Sequence, residues 1–307
     1  MQPGFFFARL FFILIAAFVF PGCSYFGQGA VSAEDSVTYY TQLINELPEE
    51  PAVYYNRGVF YFRAERYKEA IADFSNALRV SPGFYQSYLP RGDCQRLLGN
   101  YAEAVSNYDS CIRRTGANAY VYNSRAYCYF RLKKFDAAAD DYSQVLLLGN
   151  GTGETYLQLG ISLYKTGAND KAAANLIQSV KLSPDSGAGY LWLANAEYKL
   201  GMLDSSIAHY LLAVDKKAVF NVENHKAEAY LDRGLELKEE DPGLALQYMN
   251  SSILADSGSA RAFIERARLY RQLNEKELAY YDFKKAGTLG LTKAFGECKL
   301  CCEPESW

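Results

Sequence analysis

The apolar positions of this chain form a pattern that repeats every 34 residues. Five segments of this length begin at Pro51, Tyr85, Ala119, Gly153 and Gly187. Their fourth residue is always aromatic (Tyr54, Tyr88, Tyr122, Tyr156, Tyr190), their eighth is Gly or Ala, and their twentieth is Ala or Ser. A constant period of this length predicts a stack of similar units, each covering its apolar surface against its neighbours.

Within each segment the apolar and small positions follow the period of an α-helix. Positions 4, 8 and 11 lie on one helical face, and positions 20, 24 and 27 lie on another, with a polar turn between them. Pro82 and Pro184 fall at position 32 and are typical of a helix end. Small residues at positions 8 and 20 predict close packing of the two helices. The sequence therefore predicts an all-α fold of antiparallel helix pairs.

The spacing of aromatic, small and alanine positions resembles the tetratricopeptide repeat. This resemblance implies a right-handed superhelical solenoid, in which the first helices of successive repeats line a concave groove. The segment around Tyr40 and Pro48 is similar to a lone second helix, since these residues lie 34 positions before Phe74 and Pro82. Two less regular units follow the five regular ones.

These units divide the chain into a series of expected regions. They are a half repeat with five regular repeats over residues 33–214, an irregular linker at 215–226, two further repeats over 227–290, and a capping helix with a cysteine-containing tail at 291–307.

The glycine-rich stretch GNGTGE, residues 149–154, raises the alternative of a nucleotide-binding loop. A P-loop needs a Lys close to the phosphates, and Glu154 places a negative charge there instead. The stretch also falls at the boundary between the third and fourth repeats. We therefore predict a turn between repeats and no bound nucleotide.

The N-terminus has the pattern of an export signal. Arg9 precedes an uninterrupted apolar run from Leu10 to Phe20, which is too short to span a bilayer. The next residues, Gly22 and Cys23, resemble the lipobox of bacterial lipoproteins.

That resemblance implies removal of residues 1–22, lipidation of Cys23 and a tether over residues 23–32. Ser24 resembles a signal for sorting to the outer membrane, which predicts a bacterial envelope protein facing the periplasm. The alternative is ordinary signal-peptide cleavage after Ala33 and secretion without a lipid.

The chain offers few groups for catalysis. Its formal charge is −3 and no stretch is polybasic, so general nucleic-acid binding is not expected. The two histidines, His209 and His225, lack metal-ligand spacing. We expect His209 to be structural beside Tyr210 and His225 to be solvated in the linker. We predict no catalytic site, no resident metal and no cofactor.

The cysteines divide into two groups. Cys94, Cys111 and Cys128 fall at small helical positions, where buried thiols are expected. Cys298, Cys301 and Cys302 could form a disulfide or part of a metal site in an oxidising compartment. The alternative is a short capping helix, because Ala294, Cys298 and Cys301 have helical spacing.

An arginine recurs at position 7 of five repeats. The residues are Arg57, Arg91, Arg125, Arg233 and Arg266, and three of these repeats carry an aspartate at position 23: Asp73, Asp141 and Asp282. We predict structural arginine–carboxylate pairs between the two helices of a repeat.

The resemblance also assigns the groove, because positions 2, 5, 9, 12 and 13 of a tetratricopeptide repeat usually face it. The implied partner-binding residues are Tyr55, Phe62, Arg63, Arg96, Asn123, Tyr127, Phe130, Arg131, Tyr164, Lys165, Tyr198 and Lys199. This aromatic and basic set suits an extended peptide with carboxylates. Alternatively, the aromatic rings pack between helices and the cations are only solvated.

These observations predict a lipid-anchored scaffold that binds a protein or peptide partner. The carboxylate clamp of tetratricopeptide co-chaperones is not reproduced, since Val59 and Asp93 occupy two of its Asn positions. Two alternatives remain open: a surface-exposed adhesin, and a protein that handles a small ligand or metal through its C-terminal cysteines.

Overall fold

A computed structural model describes residues 33–116, 118–219 and 224–301, and these ranges contain α-helices but no β-strand. The helices are α1 (Ala33–Glu46), α2 (Pro51–Arg63), α3 (Tyr67–Val80), α4 (Tyr88–Leu97), α5 (Tyr101–Thr115), α6 (Ala119–Arg131), α7 (Phe135–Leu147), α8 (Gly153–Lys165), α9 (Asn169–Leu182), α10 (Gly187–Lys199), α11 (Leu203–Asp215), α12 (Lys226–Leu237), α13 (Pro242–Ala255), α14 (Ala260–Gln272), α15 (Lys276–Thr288) and α16 (Ala294–Cys301). The predicted all-α class is confirmed.

The chain forms two compact units that divide between Leu148 and Gly149. In the first unit, α2 pairs with α3, α4 with α5 and α6 with α7, and α1 packs on α2. In the second unit, the pairs are α8 with α9, α10 with α11, α12 with α13 and α14 with α15, followed by α16 packed on α15. First helices of consecutive repeats also touch, α2 with α4, α4 with α6, and α8 with α10.

Position 8 of a repeat faces the large side chain at position 24, which explains why it must be small. A Cβ atom added to Gly58 would lie 2.9 Å from the ring of Phe74, and one added to Gly160 would lie 2.5 Å from Leu176. Phe74 and Leu176 are fully buried. The close approach predicted for the two helices is therefore present.

The turn between the two helices of a repeat uses a left-handed backbone at position 15. Gly99, Gly167 and Gly201 occupy this position in three repeats, with φ between 75° and 84°. Glu65, Lys133 and Asn274 hold it in three others, with φ between 58° and 64°. These non-glycine residues adopt a conformation that costs about 1–2 kcal/mol for an L-residue.

The recurring arginines bind the second helix of their own repeat as predicted. Arg125 donates from Nε and Nη2 to the two carboxylate oxygens of Asp141, both at 2.7 Å. Arg57 meets Asp73 and Arg266 meets Asp282 in the same fork geometry. The hydrogen bonds that Arg125 donates to Asp141 raise the pKa of Arg125, so the guanidinium keeps its charge.

The same arginines also reach back to the preceding repeat, which the sequence did not predict. Each Nη1 donates to a side chain 16 residues earlier: Arg57 to Thr41, Arg91 to Ser75, Arg125 to Asp109 and Arg266 to Asn250. We call this contact, from an arginine to side chains 16 residues before and after it, the arginine clasp. Arg91 completes its clasp with Asn107 at 2.7 Å in place of an aspartate.

Arg233 departs from this arrangement. It forms ion pairs with Asp204 at 2.8 Å and with Glu236 at 2.8 Å. Leu159 and Leu193 replace the arginine in the fourth and fifth repeats. In the fifth repeat, the residue at position 23 is His209, whose Nδ1 lies 2.6 Å from the buried carboxylate of Glu197. The expected structural role of His209 agrees with this contact.

The glycine-rich stretch at residues 149–154 is a turn followed by the first residues of α8. Thr152 caps that helix by accepting a hydrogen bond from the backbone N–H of Thr155 at 3.1 Å. The interpretation of this stretch as a turn between repeats is confirmed.

The last helix covers the end of the repeat array. Ala294 is fully buried in a cluster with Phe283 and Ala286. Arg268 holds α16 by donating to both carboxylate oxygens of Glu297, at 3.1 and 2.6 Å. The hydrogen bonds from Arg268 lower the pKa of Glu297.

Several predictions concern residues outside the described ranges. They are the signal peptide at 1–22, lipidation of Cys23, the tether at 23–32 and the side chains of Cys298, Cys301 and Cys302; the backbones of Cys298 and Cys301 lie in α16. Among the described helices, none combines the length and apolar character needed to cross a membrane.

We expect Asp141→Ala to lower the free energy of unfolding by about 3 kcal/mol, because it leaves a largely buried guanidinium without its fork partner. Asp141→Asn keeps one acceptor and should cost less. Urea denaturation followed by circular dichroism measures both. As a control, Glu69→Ala removes the solvent-exposed partner of Arg66 and should leave the transition unchanged. Equal effects of Asp141→Ala and Glu69→Ala would contradict a stabilising role for the clasp.

The Arg268–Glu297 pair predicts a pH dependence. Because the folded pKa of Glu297 is lowered, its contribution to stability is present above the unfolded pKa of about 4.3 and is lost as the pH falls through the folded pKa. Glu297→Gln should therefore be less stable than the wild type at pH 7, and the difference should shrink below pH 4. Thermal melts of both proteins at several pH values measure it. A difference independent of pH would refute the ion pair as its source.

Candidate functional site

The twelve residues assigned to the groove differ widely in exposure. Arg63, Asn123, Tyr127, Arg131, Lys165 and Lys199 are exposed, Tyr55, Phe62, Arg96, Phe130 and Tyr198 are half-buried, and Tyr164 is buried. Their positions on α2, α4, α6, α8 and α10 place them in two groups, one in each compact unit.

Three of the predicted aromatic residues pack within the repeats. Phe62 lies edge-on to Tyr67, with ring centroids 5.7 Å apart, and Phe130 lies edge-on to Phe135 at 5.4 Å. In both pairs, the ring on the first helix covers the first residue of the second helix. Tyr55 contacts the rings of Phe74 and Phe84. These rings stabilise the repeats, and only part of their surface is open to a partner.

The first unit brings Arg96, Tyr127 and Arg131 together with Tyr101, which the sequence did not single out. Arg131 Nη1 donates to the hydroxyl of Tyr127 at 2.7 Å, and its guanidinium lies 4.8 Å from the centroid of the Tyr101 ring. The guanidinium of Arg96 lies 6.0 Å from the centroid of the Tyr127 ring. We call these four residues the arginine–tyrosine cluster.

A buried carboxylate lies beside this cluster. Asp93 accepts a hydrogen bond from the hydroxyl of Tyr108 at 2.7 Å, and burial raises the pKa of Asp93. The Nε atom of Arg96 is buried and has no hydrogen-bond partner among the described residues. Arg96 therefore lies partly inside the repeat, next to Asp93 and Tyr108.

The cluster has the chemistry of an anion-binding aromatic surface. Tyr127 is 37% exposed and Arg131 is exposed, so both are accessible to a second molecule. Two guanidinium groups favour carboxylates, and the tyrosine rings offer apolar area that costs little side-chain entropy to order. An extended peptide with acidic and apolar residues fits these requirements.

In the second unit, the predicted groove residues enclose a residue of the linker. The hydroxyl of Tyr164 lies 3.1 Å from Nε2 of His225, and the ring of Tyr198 stacks on the imidazole with centroids 4.8 Å apart. The backbone N–H of His225 donates to the hydroxyl of Tyr210 at 2.7 Å. The prediction that His225 is solvated in the linker is wrong, because His225 is half-buried among these three tyrosines.

The two predicted lysines of this unit lie over aromatic rings. Lys165 Nζ is 5.1 Å from the centroid of the Trp192 ring, and Lys199 Nζ is 5.9 Å from that of Tyr198. Both lysines are exposed. The cations therefore lie at the rim of the enclosed residues, where contacts with aromatic faces contribute about 0.5–1 kcal/mol each.

The buried cysteines are unreactive. Burial raises the pKa of the Cys94 thiol to about 12 and that of the Cys128 thiol to about 12. Both thiols stay protonated at neutral pH and are poor nucleophiles. Within the part of the chain that the structure describes, no group of three His, Cys, Asp or Glu side chains could hold a metal ion.

Solved structures with the same fold share little sequence with this chain. A crystal structure of YrrB, described as a TPR protein with an unusual peptide-binding site, aligns with a TM-score of 0.50 and 19% identity over 60% of this chain and 100% of YrrB. A structure of MamA from AMB-1 aligns with a TM-score of 0.51 and 17% identity over 56% of this chain and 94% of MamA. These likenesses support the fold alone.

Curated proteins match over a short stretch. DnaJ homolog subfamily C member 7 of Homo sapiens is 30% identical over 66 residues, which make up 22% of this chain and 13% of that protein. The protein of the same name in Mus musculus matches to the same extent. The chain therefore covers only a small part of these relatives.

Family models cover the regular repeats. Two models, both described as tetratricopeptide repeat, match residues 51–84 and residues 89–153 and 157–218. Together these ranges are just over half of the chain, and they coincide with the repeats inferred from the 34-residue period. The chain belongs to the tetratricopeptide repeat family.

Proposed function

We propose that this protein is a lipid-anchored scaffold that binds an extended acidic peptide of a partner protein at a bacterial envelope. Tetratricopeptide repeats form scaffolds for protein–protein interaction, and their fold is typical of proteins without catalytic activity. The observation that carries the proposed binding mode is the arginine–tyrosine cluster of the first unit.

The cluster has features of an energetic centre for binding. Arginine and tyrosine are enriched among residues that dominate interface affinity. Tyr101 and Tyr127 already hold the guanidinium of Arg131, so less side-chain freedom is lost when a carboxylate binds there.

The proposed location rests on the N-terminal sequence. An apolar run followed by Gly22–Cys23 fits a lipid-modified N-terminus, and residues 23–32 then tether the repeats to the membrane. Several acyl chains on one cysteine would hold the protein stably, whereas a single chain binds only marginally. The first described residue, Ala33, follows this tether directly.

We expect Arg131→Glu to weaken partner binding at least about tenfold, because it replaces a carboxylate-binding group with a like charge. The measurement has two parts: affinity capture from solubilised envelopes, and selection from a random peptide library followed by titration of the selected peptides. Selected peptides should be rich in Asp and Glu.

Arg79→Glu is the matched control, because it changes the net charge by the same amount as Arg131→Glu. Arg79 is exposed and lies on α3, the second helix of its repeat. It should capture the same partners as the wild type. If Arg131→Glu retains full affinity for every captured protein and peptide, the arginine–tyrosine cluster is not the binding site.

Cys23→Ser should release the protein from the membrane fraction and abolish incorporation of labelled palmitate, because the acyl chains have no other attachment site. Cell fractionation and labelling measure these changes, with Cys298→Ser as the control that should stay membrane-bound and labelled. Membrane-bound Cys23→Ser would refute the lipid anchor. Protease treatment of intact cells separates the two orientations, since a surface-exposed adhesin is degraded and a periplasmic scaffold is protected.

A further inference from the structure

His225 is held by contacts of three kinds in the second unit. Tyr198 stacks on its ring, the hydroxyl of Tyr164 lies within hydrogen-bond distance of Nε2, and the hydroxyl of Tyr210 accepts its backbone N–H. Tyr164 is 61 residues away in sequence. These contacts therefore join a segment of the linker to the helices of the fourth and fifth repeats.

Two of the contacting side chains, and a third residue that accepts a hydrogen bond from Tyr210, occupy positions that the family resemblance assigns to the groove. Tyr164 and Tyr198 stand at position 12, and Asn195 stands at position 9. At position 9 of the third repeat, Tyr127 is 37% exposed, whereas Asn195 is fully buried. His225 thus contacts two residues of the second unit, Tyr164 and Tyr198, at a position that the family resemblance assigns to partner binding.

The pocket is positioned by contacts that do not involve residue 225. Tyr198 donates its hydroxyl proton to Asp232 at 2.9 Å, and Asp232 accepts from Arg261 at 2.9 Å. Tyr210 donates to Oδ1 of Asn195 at 2.6 Å, which leaves its oxygen lone pairs directed to the N–H of His225. The Tyr198 ring and the Tyr210 hydroxyl are therefore held in place by contacts that do not involve His225, as in a preorganised peptide site.

We propose that Tyr164, Tyr198 and Tyr210 form a peptide-recognition pocket for a histidine-bearing segment, with Tyr210 oriented by Asn195, and that His225 is its intramolecular occupant. An external segment with the same chemistry binds by exchanging with His225. Because the occupant belongs to the same chain as the pocket, its effective concentration there is high. Only a ligand that binds tightly can displace it. This inference deepens the proposed function and rests on it for its biological role.

The test uses His225→Gly and the peptide acetyl-Asn-His-Lys-Ala-amide, which has the sequence of residues 224–227. The substitution empties the space between the tyrosines, and it removes no helix cap, because the His225 side chain makes no capping hydrogen bond to α12. We expect the peptide to bind His225→Gly at least about tenfold more tightly than the wild type, as measured by NMR titration.

Two controls define the specificity. The peptide with His replaced by Ala should not bind His225→Gly, and the original peptide should not bind the double variant His225→Gly/Tyr198→Ala. Equal affinity of the peptide for wild type and His225→Gly, or equal affinity of the two peptides, would overturn the proposal.

If His225→Gly does not fold, amide hydrogen exchange of the wild type answers the same question. The N–H of His225 should exchange slowly, and a large excess of the histidine peptide should accelerate it, while the alanine peptide should not. An unchanged rate overturns the proposal. None of these results depends on Arg131, so failure here leaves the first-unit binding site intact, and failure of the Arg131→Glu test leaves this pocket intact.

Discussion

The arginine clasp is the interaction that fixes the geometry of the first three repeats and of the last one. A guanidinium group that is mostly removed from water must be paired, because an unpaired charge in that environment costs several kcal/mol. Each clasp satisfies its arginine with one side chain from its own second helix and one from the preceding second helix. Three helices are thereby fixed by one residue, and the first helix that carries Arg125 also carries Tyr127 and Arg131. The orientation of the arginine–tyrosine cluster follows from this packing.

The local part of the fold was predictable from the sequence because its determinants lie within one period. The small residue at position 8 and the large residue at position 24 are neighbours within a repeat, as Gly58 with Phe74 and Gly160 with Leu176 show. The Arg125–Asp141 pair could be predicted for the same reason. The backward contact to Asp109 could not, because its acceptors are chemically varied: hydroxyl, amide and carboxylate groups take the same place.

The candidate sites were less predictable because they combine groove positions with residues of a second helix and of the irregular linker. Tyr101 lies at the start of a second helix, outside the positions that the family resemblance assigns to the groove, yet it covers Arg131. His225 lies in an irregular linker without a period, and its partner Tyr164 is distant in sequence. Equivalent positions consequently differ in exposure: at position 9, Tyr127 is open to solvent in the third repeat and Asn195 is buried in the fifth. Periodicity identifies equivalent positions but not what covers them.

The turn residues with a left-handed backbone are positions where a substitution can increase the free energy of unfolding. Glu65 and Lys133 hold position 15 in a backbone conformation that glycine adopts without steric cost. Both side chains are exposed on turns, and neither belongs to the arginine–tyrosine cluster. Replacing each by glycine relieves the steric strain but increases the freedom of the unfolded chain, so the net gain is up to about 1 kcal/mol per site. These two substitutions can therefore raise the free energy of unfolding without altering any side chain of the candidate binding sites.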